Sequence, residues 1–567
     1  MNTPSEKTQK YDRQLRLWGE NGQALLESCS LCLINATATG CETLKNLILP
    51  GIGSFAIIDD HNITEEDLGN NFFVTQDSVG KKRGLVVTEY LTELNDDVRG
   101  EFIDENLEGL FKRSPESFLQ YTVVIITALP KQILLALTKY LWVHDIPVVI
   151  CRSYGMLGYL RLVVKDHTVV EAHPEYPHPD LRLTHPFSEL VQHCDEQNLE
   201  KLSKKDHAHV PWLIILYKSL QIYRTQHDGQ LPKTYKDKKI LKSIIEQGKR
   251  TNEDGVPEEE ENFDEAVKAV NTALTDPSLI PSSLKLVLEH PNVAEGSKET
   301  GRFWILARAL RDFINTYGQL PLQGTIPDMT ADSESYISLQ KIYRNKAAEH
   351  VRLVHKLANE TQECLEAHKS QQPSEELSLE ETRLFCRNAG NIAVVNCRSL
   401  NAEYDSLNTS ALDGRFSDEG EDDSVYYILL RACEDFFAEY NRYPYGRFSD
   451  EGEDDSVYYI LLRACEDFFA EYNRYPGCYD DQVEADITPL KAIASRLIAD
   501  AGLNVNIRED CIHELCSYGA SELHSVAAFM GGVAAQEVIK LITKQYLPIN
   551  NTYIYNASSQ TSLTLEL

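Results

Sequence analysis

The chain is short of positive charge: 55 Lys and Arg stand against 87 Asp and Glu over 567 residues, a formal net charge of −32. Phosphate affinity needs clustered cations, so this balance argues against nucleic acid as a partner, and a solvated acidic surface accounts for it. Long apolar runs are also missing. The stretch YTVVIITAL, residues 121–129, is of strand length and falls far below the ~20 residues that cross a bilayer, so no membrane span is expected. The thirteen cysteines lack the doubled C-x-x-C or Cys/His spacing of a metal site, and no metal is expected. Unpaired cysteines, with an opening (MNTPSEKTQKYDRQ) that has neither a basic start nor an apolar segment, suit reduced thiols and an expected location in cytosol and nucleus.

Glycine is scarce where a nucleotide would need it. LCLINATATGCETLKNLILPGIGSFAIIDD, residues 31–60, has the layout of a nucleotide-binding βαβ unit: strand, tight turn, helix, strand, acidic end. In a G-x-G-x-x-G turn the first glycine permits the bend, the second admits phosphate to the backbone, and the third lets helix and strand approach. The aligned positions here are Asn35, Thr37 and Gly40, with Ala38 also inside the turn. The packing glycine is kept and the phosphate-facing ones are not. A Thr37 side chain is expected to stand where phosphate would sit; the other reading is a divergent but working loop.

A chain of this length predicts two or three domains. Residues 1–169 alternate apolar runs (CLINA, SFAIID, TVVIITAL, IPVVICRS) with helical patterns, which predicts a mostly parallel α/β sheet. Residues 170–490 read as helical and 491–567 return to α/β texture, with a small-residue helix from His524 and a strand at NTYIYN. The expected architecture is one α/β domain carrying a large helical insertion. Within the insertion, residues 414–444 recur without substitution at 446–476. Structural repeats normally diverge, so an identical pair predicts a recent duplication or a gene-model error, with one copy packing natively.

Two long signatures flank these features. KYDRQLRLWG, residues 10–19, and AAFMGGVAAQEVIKLI, residues 527–542, together with GCETLKNLILPGIG, resemble the ubiquitin-activating-type enzymes of the ThiF/MoeB adenylating superfamily. The resemblance implies a Rossmann-like adenylation domain. It also implies that a working site would need a ribose carboxylate, an arginine, a later basic residue and a magnesium aspartate. The corresponding residues are Asp59, Asn70, Arg83 and Pro130. Proline offers no carboxylate to a cation, so an inactive half without its own cofactor is expected. No cysteine stands in the Cys-Thr context that the family uses for thioester formation; Cys194, Cys364 and Cys386 have mainly acidic or helical neighbours, which disfavour a thiolate.

Within the superfamily the chain is most similar to the regulatory, amyloid-precursor-binding-protein type subunits of the neddylation-activating enzyme. That resemblance implies a heterodimer whose catalytic partner binds ATP and magnesium and carries the thioester to a ubiquitin-like modifier, which then passes to a conjugating enzyme and cullins. It further implies that Arg13 is donated in trans to the partner's ATP site. Helical periodicity places Tyr11, Leu15 and Trp18 on one face, with Arg13 and Arg16 on the other. In KDHAHVPW and GTIPDMTADSESYISLQKIYRNKA the resemblance assigns His209, Asp328, Met329, Asp332, Tyr336, Leu339 and Lys341 to the partner interface. Asp332 or Ser333 is expected to cap the following helix. The alternatives are a regulatory subunit for another modifier such as SUMO, a nucleotide-dependent oxidoreductase, or a free-standing adaptor.

Overall fold

The computed structural model describes residues 6–174, 180–294, 301–366, 376–405, 483–501, 509–519 and 521–566. Both copies of the duplicated module lie outside them. The chain divides into two compact units, residues 1–167 with 395–567, and residues 168–394.

The first unit is built on an eight-stranded sheet. Its strands are β1 (Ser30–Ile34), β2 (Ser54–Ile58), β3 (Arg99–Ile103), β4 (Val123–Ile126), β5 (Val148–Tyr154) and β6 (Leu157–Val163). Two short strands, β7 (His167–Val169) and β8 (Ala393–Val395), pair separately, and β9 (Thr552–Asn556) and β10 (Thr561–Leu565) complete the large sheet. The order is β10-β9-β6-β5-β4-β1-β2-β3, parallel from β3 to β5 and antiparallel from β5 to β10. β4 is wholly apolar, and β1 and β2 are apolar after an opening serine, because both faces of these central parallel strands are covered. Alternation then divides the side chains: Cys32, Ile34, Val124 and Ile126 enter one core, while Leu31, Leu33, Val123 and Ile125 enter the other. Chain direction across the sheet reverses between β1 and β4, and the crevice beyond the carboxyl ends of strands at such a point is where open α/β sheets place ligands.

The helix Ala38–Ile48 follows β1 and packs against the helix His524–Thr543. Close approach requires Gly531, where a Cβ would lie 2.7 Å from Glu42 Cβ. The helix His524–Thr543 is apolar enough to be weighed as a membrane span, yet 67% of its apolar window is buried inside this unit, as befits a core helix.

The second unit is helical. The helix Ser333–Glu366 runs 34 residues and sends Leu339, Tyr343 and Ala347 into one core, then Val351, Val354 and Ala358 into another. The insertion expected from 170 to 490 therefore requires correction at its far end, because the helical unit closes at Val394. The helix Leu400–Asp405 returns to the sheet core with Leu400, and Leu490, Ile493 and Ala494 join the same core. Helical texture does not distinguish a helix of the insertion from one that covers the sheet; burial does.

Candidate nucleotide-binding cradle

The turn after β1 keeps the bend of a phosphate loop without its glycines. Asn35 takes the left-handed conformation (φ 65°) that the first glycine would supply, and asparagine is among the few residues that tolerate it. Its amide donates to the Ala128 carbonyl, and Thr127 Oγ1 donates back to the Asn35 carbonyl at 2.9 Å, so the end of β4 holds the bend. Gly40 is required for packing: a Cβ there would meet Thr127 Cγ2 at 2.9 Å and the Asn35 oxygen at 3.0 Å.

Thr37 stands at the start of the helix that follows the turn, and its side chain faces Glu522. It is the N-cap of the helix Ala38–Ile48 and its hydroxyl accepts from Gly40 N at 3.4 Å. The group over the cradle is Glu522. Its Oε2 accepts from Ala38 N at 2.8 Å, and its Oε1 accepts from Thr39 Oγ1 at 2.7 Å and Ser153 Oγ at 3.3 Å. Burial pushes the Glu522 carboxyl up, against the pull of the Thr39, Ala38 and Thr37 donors and the Arg83 charge.

Asp59 closes the next strand, and its carboxylate is buried and fully engaged. Oδ2 accepts from Ala36 N at 3.0 Å and Arg83 Nε at 2.8 Å, while Oδ1 accepts from His61 N at 3.0 Å and lies 2.9 Å from His61 Nδ1. Burial opposes its ionisation, but the His61 bonds and the Arg83 charge outweigh burial and hold its pKa below the ordinary value. Asp59 and Arg83, expected at the ribose and later basic positions, are thus partners of each other, and Arg83 also reaches Asp67 at 3.3 Å. Asp59, Asp60 and His61 could reach one ion, but Arg83 already supplies the positive charge there.

Asn70 is half-buried at the end of a four-residue helix, Asp67–Asn70. Its neighbour Asn71, missed in the sequence, is the one that reaches the turn, donating to the Ala36 carbonyl at 3.3 Å. Pro130 caps the helix Lys131–Val143 and offers no side-chain donor or acceptor. A nucleotide does not fit these residues: the first amide of the cradle is occupied by Glu522, the ribose carboxylate is held by Arg83, and a proline stands at the magnesium position.

Most of the cysteines among the described residues are buried. Cys194 and Cys386 are buried, and burial, rather than acidic neighbours, pushes each thiol up to about 12. Cys29 and Cys32 do stand in C-x-x-C spacing, but each is buried and they enter cores on opposite faces of the sheet. Cys364 is the exposed thiol among the described residues.

The N-terminal helix, Asp12–Ser28, differs from this closed crevice. Tyr11 and Trp18 are buried, and Tyr11 Oη donates to Asp97 at 3.0 Å. Arg16 pairs with Asp12 at 2.8 Å, whereas Arg13 is exposed and makes no ion pair or hydrogen bond among the described residues. Leu17, one turn on from Arg13, is 56% exposed.

In the helical unit the two segments of interest meet: Asp332 N donates to the His209 carbonyl at 3.2 Å. His209 Nδ1 in turn donates to the Lys205 carbonyl at 2.7 Å. Asp332 is the cap of the long helix, accepting from Ser335 N at 2.9 Å, and Tyr336 Oη donates to Asp328 at 3.4 Å. Asp328 and Lys341 are exposed, and Met329 and Tyr336 are half-buried against the unit's core. Leu339 is a correction: it is wholly buried beside Tyr343 and has no surface to offer a partner.

A mixed sheet with a parallel centre and its crevice at the β1 turn, with the two flanking signatures packed around it, defines a Rossmann-like adenylation-type protein. The ThiF family matches residues 11–566. Three relatives bear the name NEDD8-activating enzyme E1 regulatory subunit. The Xenopus laevis protein is 44% identical over 99% of both chains, and the Danio rerio protein is 43% identical over 99% of both. The Arabidopsis thaliana protein, with AXR1 added to the name, is 35% identical over 100% of this chain and 97% of its own. The chain belongs to the ThiF family and, within it, to the NEDD8-activating enzyme E1 regulatory subunits.

Proposed function

We propose that this chain is the non-catalytic half of a heterodimeric activating enzyme. The catalytic partner binds ATP and magnesium, adenylates the ubiquitin-like modifier and receives it on a cysteine; this chain supplies Arg13 to the partner's ATP site and half of the interface. The modifier then moves to a conjugating enzyme and cullins. The surface around His209, Asp328, Met329, Asp332, Tyr336 and Lys341 faces the partner.

The observation that carries this reading is the division of charge. Asp59, Arg83 and Glu522 in the chain's own cradle are engaged internally, while Arg13 stands exposed beside two anchored aromatic residues with no ion pair among the described residues. A guanidinium free to enter another subunit can offset phosphate charge as an arginine finger does. The test is reconstitution of this chain, the partner, ATP, magnesium and modifier, scored as thioester formed. Arg13→Ala is expected to slow the reaction on the order of 10³-fold while leaving the heterodimer intact. Thioester or adenylate made by this chain alone, or an undiminished rate with Arg13→Ala, would overturn the reading.

A further inference from the structure

The first N–H groups of a helix have no partner within it and carry the positive end of its dipole, which is why anions bind there. In this chain a carboxyl group already stands there, and it belongs to the protein. Glu522 is 484 residues from Ala38 in sequence, yet its two oxygens divide between the Ala38 amide and the hydroxyls of Thr39 and Ser153. All three donors are buried. The carboxylate is also held from behind: Gly155 N donates to the Ser521 carbonyl at 2.7 Å, and Gly155 pairs with Glu522 as a parallel bridge. At Gly155 (φ 56°) a Cβ would lie 2.3 Å from the Tyr518 ring, so this turn accepts no larger residue without moving.

We propose that Glu522 is a built-in anion that takes the place of a nucleotide phosphate, capping the helix Ala38–Ile48 and shutting the cradle. This deepens the reading of the cradle as one that holds no nucleotide. It also explains how the fold persists without ligand: the donors that a bound phosphate would satisfy are satisfied from within, and two oxygens match the amide and hydroxyl pair as a phosphate would. The closing group is therefore a residue that a single substitution can remove.

The test uses the full chain and inorganic phosphate. Thermal unfolding of wild type and Glu522→Ala is followed as phosphate is raised, with chloride at matched ionic strength as control. The wild type is expected to respond no more to phosphate than to chloride. Glu522→Ala is expected to start less stable and to gain roughly 3 °C or more from phosphate beyond the chloride response, because the vacated donors accept it. A folded Glu522→Ala chain indifferent to phosphate would overturn the proposal. If that variant does not fold, Glu522→Gln keeps the shape and removes the charge; exchange of the Ala38 amide is then expected to quicken about tenfold, since a charge-assisted bond becomes a neutral one. Unchanged exchange would also overturn it. ATP added to the wild-type chain separates the two ideas: tight binding there would overturn the reading of an empty cradle, whatever Glu522→Ala does with phosphate.

Discussion

The crevice at the end of β1 and the exposed face of the N-terminal helix belong to the same unit and treat charge in opposite ways. In the crevice Arg83 is paired with Asp59 and Asp67, and Glu522 with the Ala38 amide, so these charged groups are engaged within the chain. On the helix, Arg16 is paired and Arg13 is not. The charged groups at the turn hold structure, and Arg13 is an exposed cation outside it.

The sharpest way to break that contrast is to remove one arginine from each place. Arg83→Ala leaves the buried Asp59 carboxylate without its cation and is expected to cost about 3–5 kcal/mol of stability in chemical denaturation. Arg13→Ala is expected to stay within about 0.5 kcal/mol. Equal losses would show that Arg13 is as structural as Arg83. A smaller effect is expected from the packing that frames the crevice. Gly531→Leu forces side-chain atoms into Glu42 and should cost about 3 kcal/mol, whereas Gly532→Ala, with nothing within 4 Å of its Cβ, should be neutral or stabilise by about 0.5–1 kcal/mol. Destabilisation by both, read as midpoint shifts, would place Gly532 in the contact as well.

The smallest effect is on acidification. Asp59 titrates lower in the folded chain than its ordinary value of 3.8, so its contribution is present above that value and is lost as pH falls toward the folded pKa. Between pH 5 and pH 3 the loss is expected to be about 1 kcal/mol, and Asp59→Asn should abolish this portion of the pH dependence in paired denaturation curves. A wild-type slope retained by Asp59→Asn would mean that Arg83 holds some other carboxylate.

The central strands were legible in the sequence because burial on both faces writes them as apolar runs. β3 was not, because RGEFI is an edge strand whose first three residues are exposed. β6 was obscured by Arg161, a charge inside an otherwise apolar stretch; it is wholly buried and pairs with Glu403 at 2.7 Å, a residue 242 positions away. The cradle was half legible. Missing glycines pointed to a turn changed from the phosphate-binding pattern, and Gly40 to a helix that still packs closely, and local sequence drew attention to Thr37 alone. Glu522 comes from the far end of the chain, and no local pattern links it to Ala38. Asn71 was displaced by its neighbour for a related reason: two consecutive asparagines read alike, and only the backbone decides which of them points inward.

The helix Ser333–Glu366 contributes to two cores of the second unit in succession, so neither can come apart without disturbing a structural member of the other. At ~1.5 Å per residue it extends about 50 Å, and a break near Ala347 to Val351 would separate the cores mechanically. An unbroken beam makes these helices one cooperative block whose amides should exchange at a common opening free energy instead of in two independent stages.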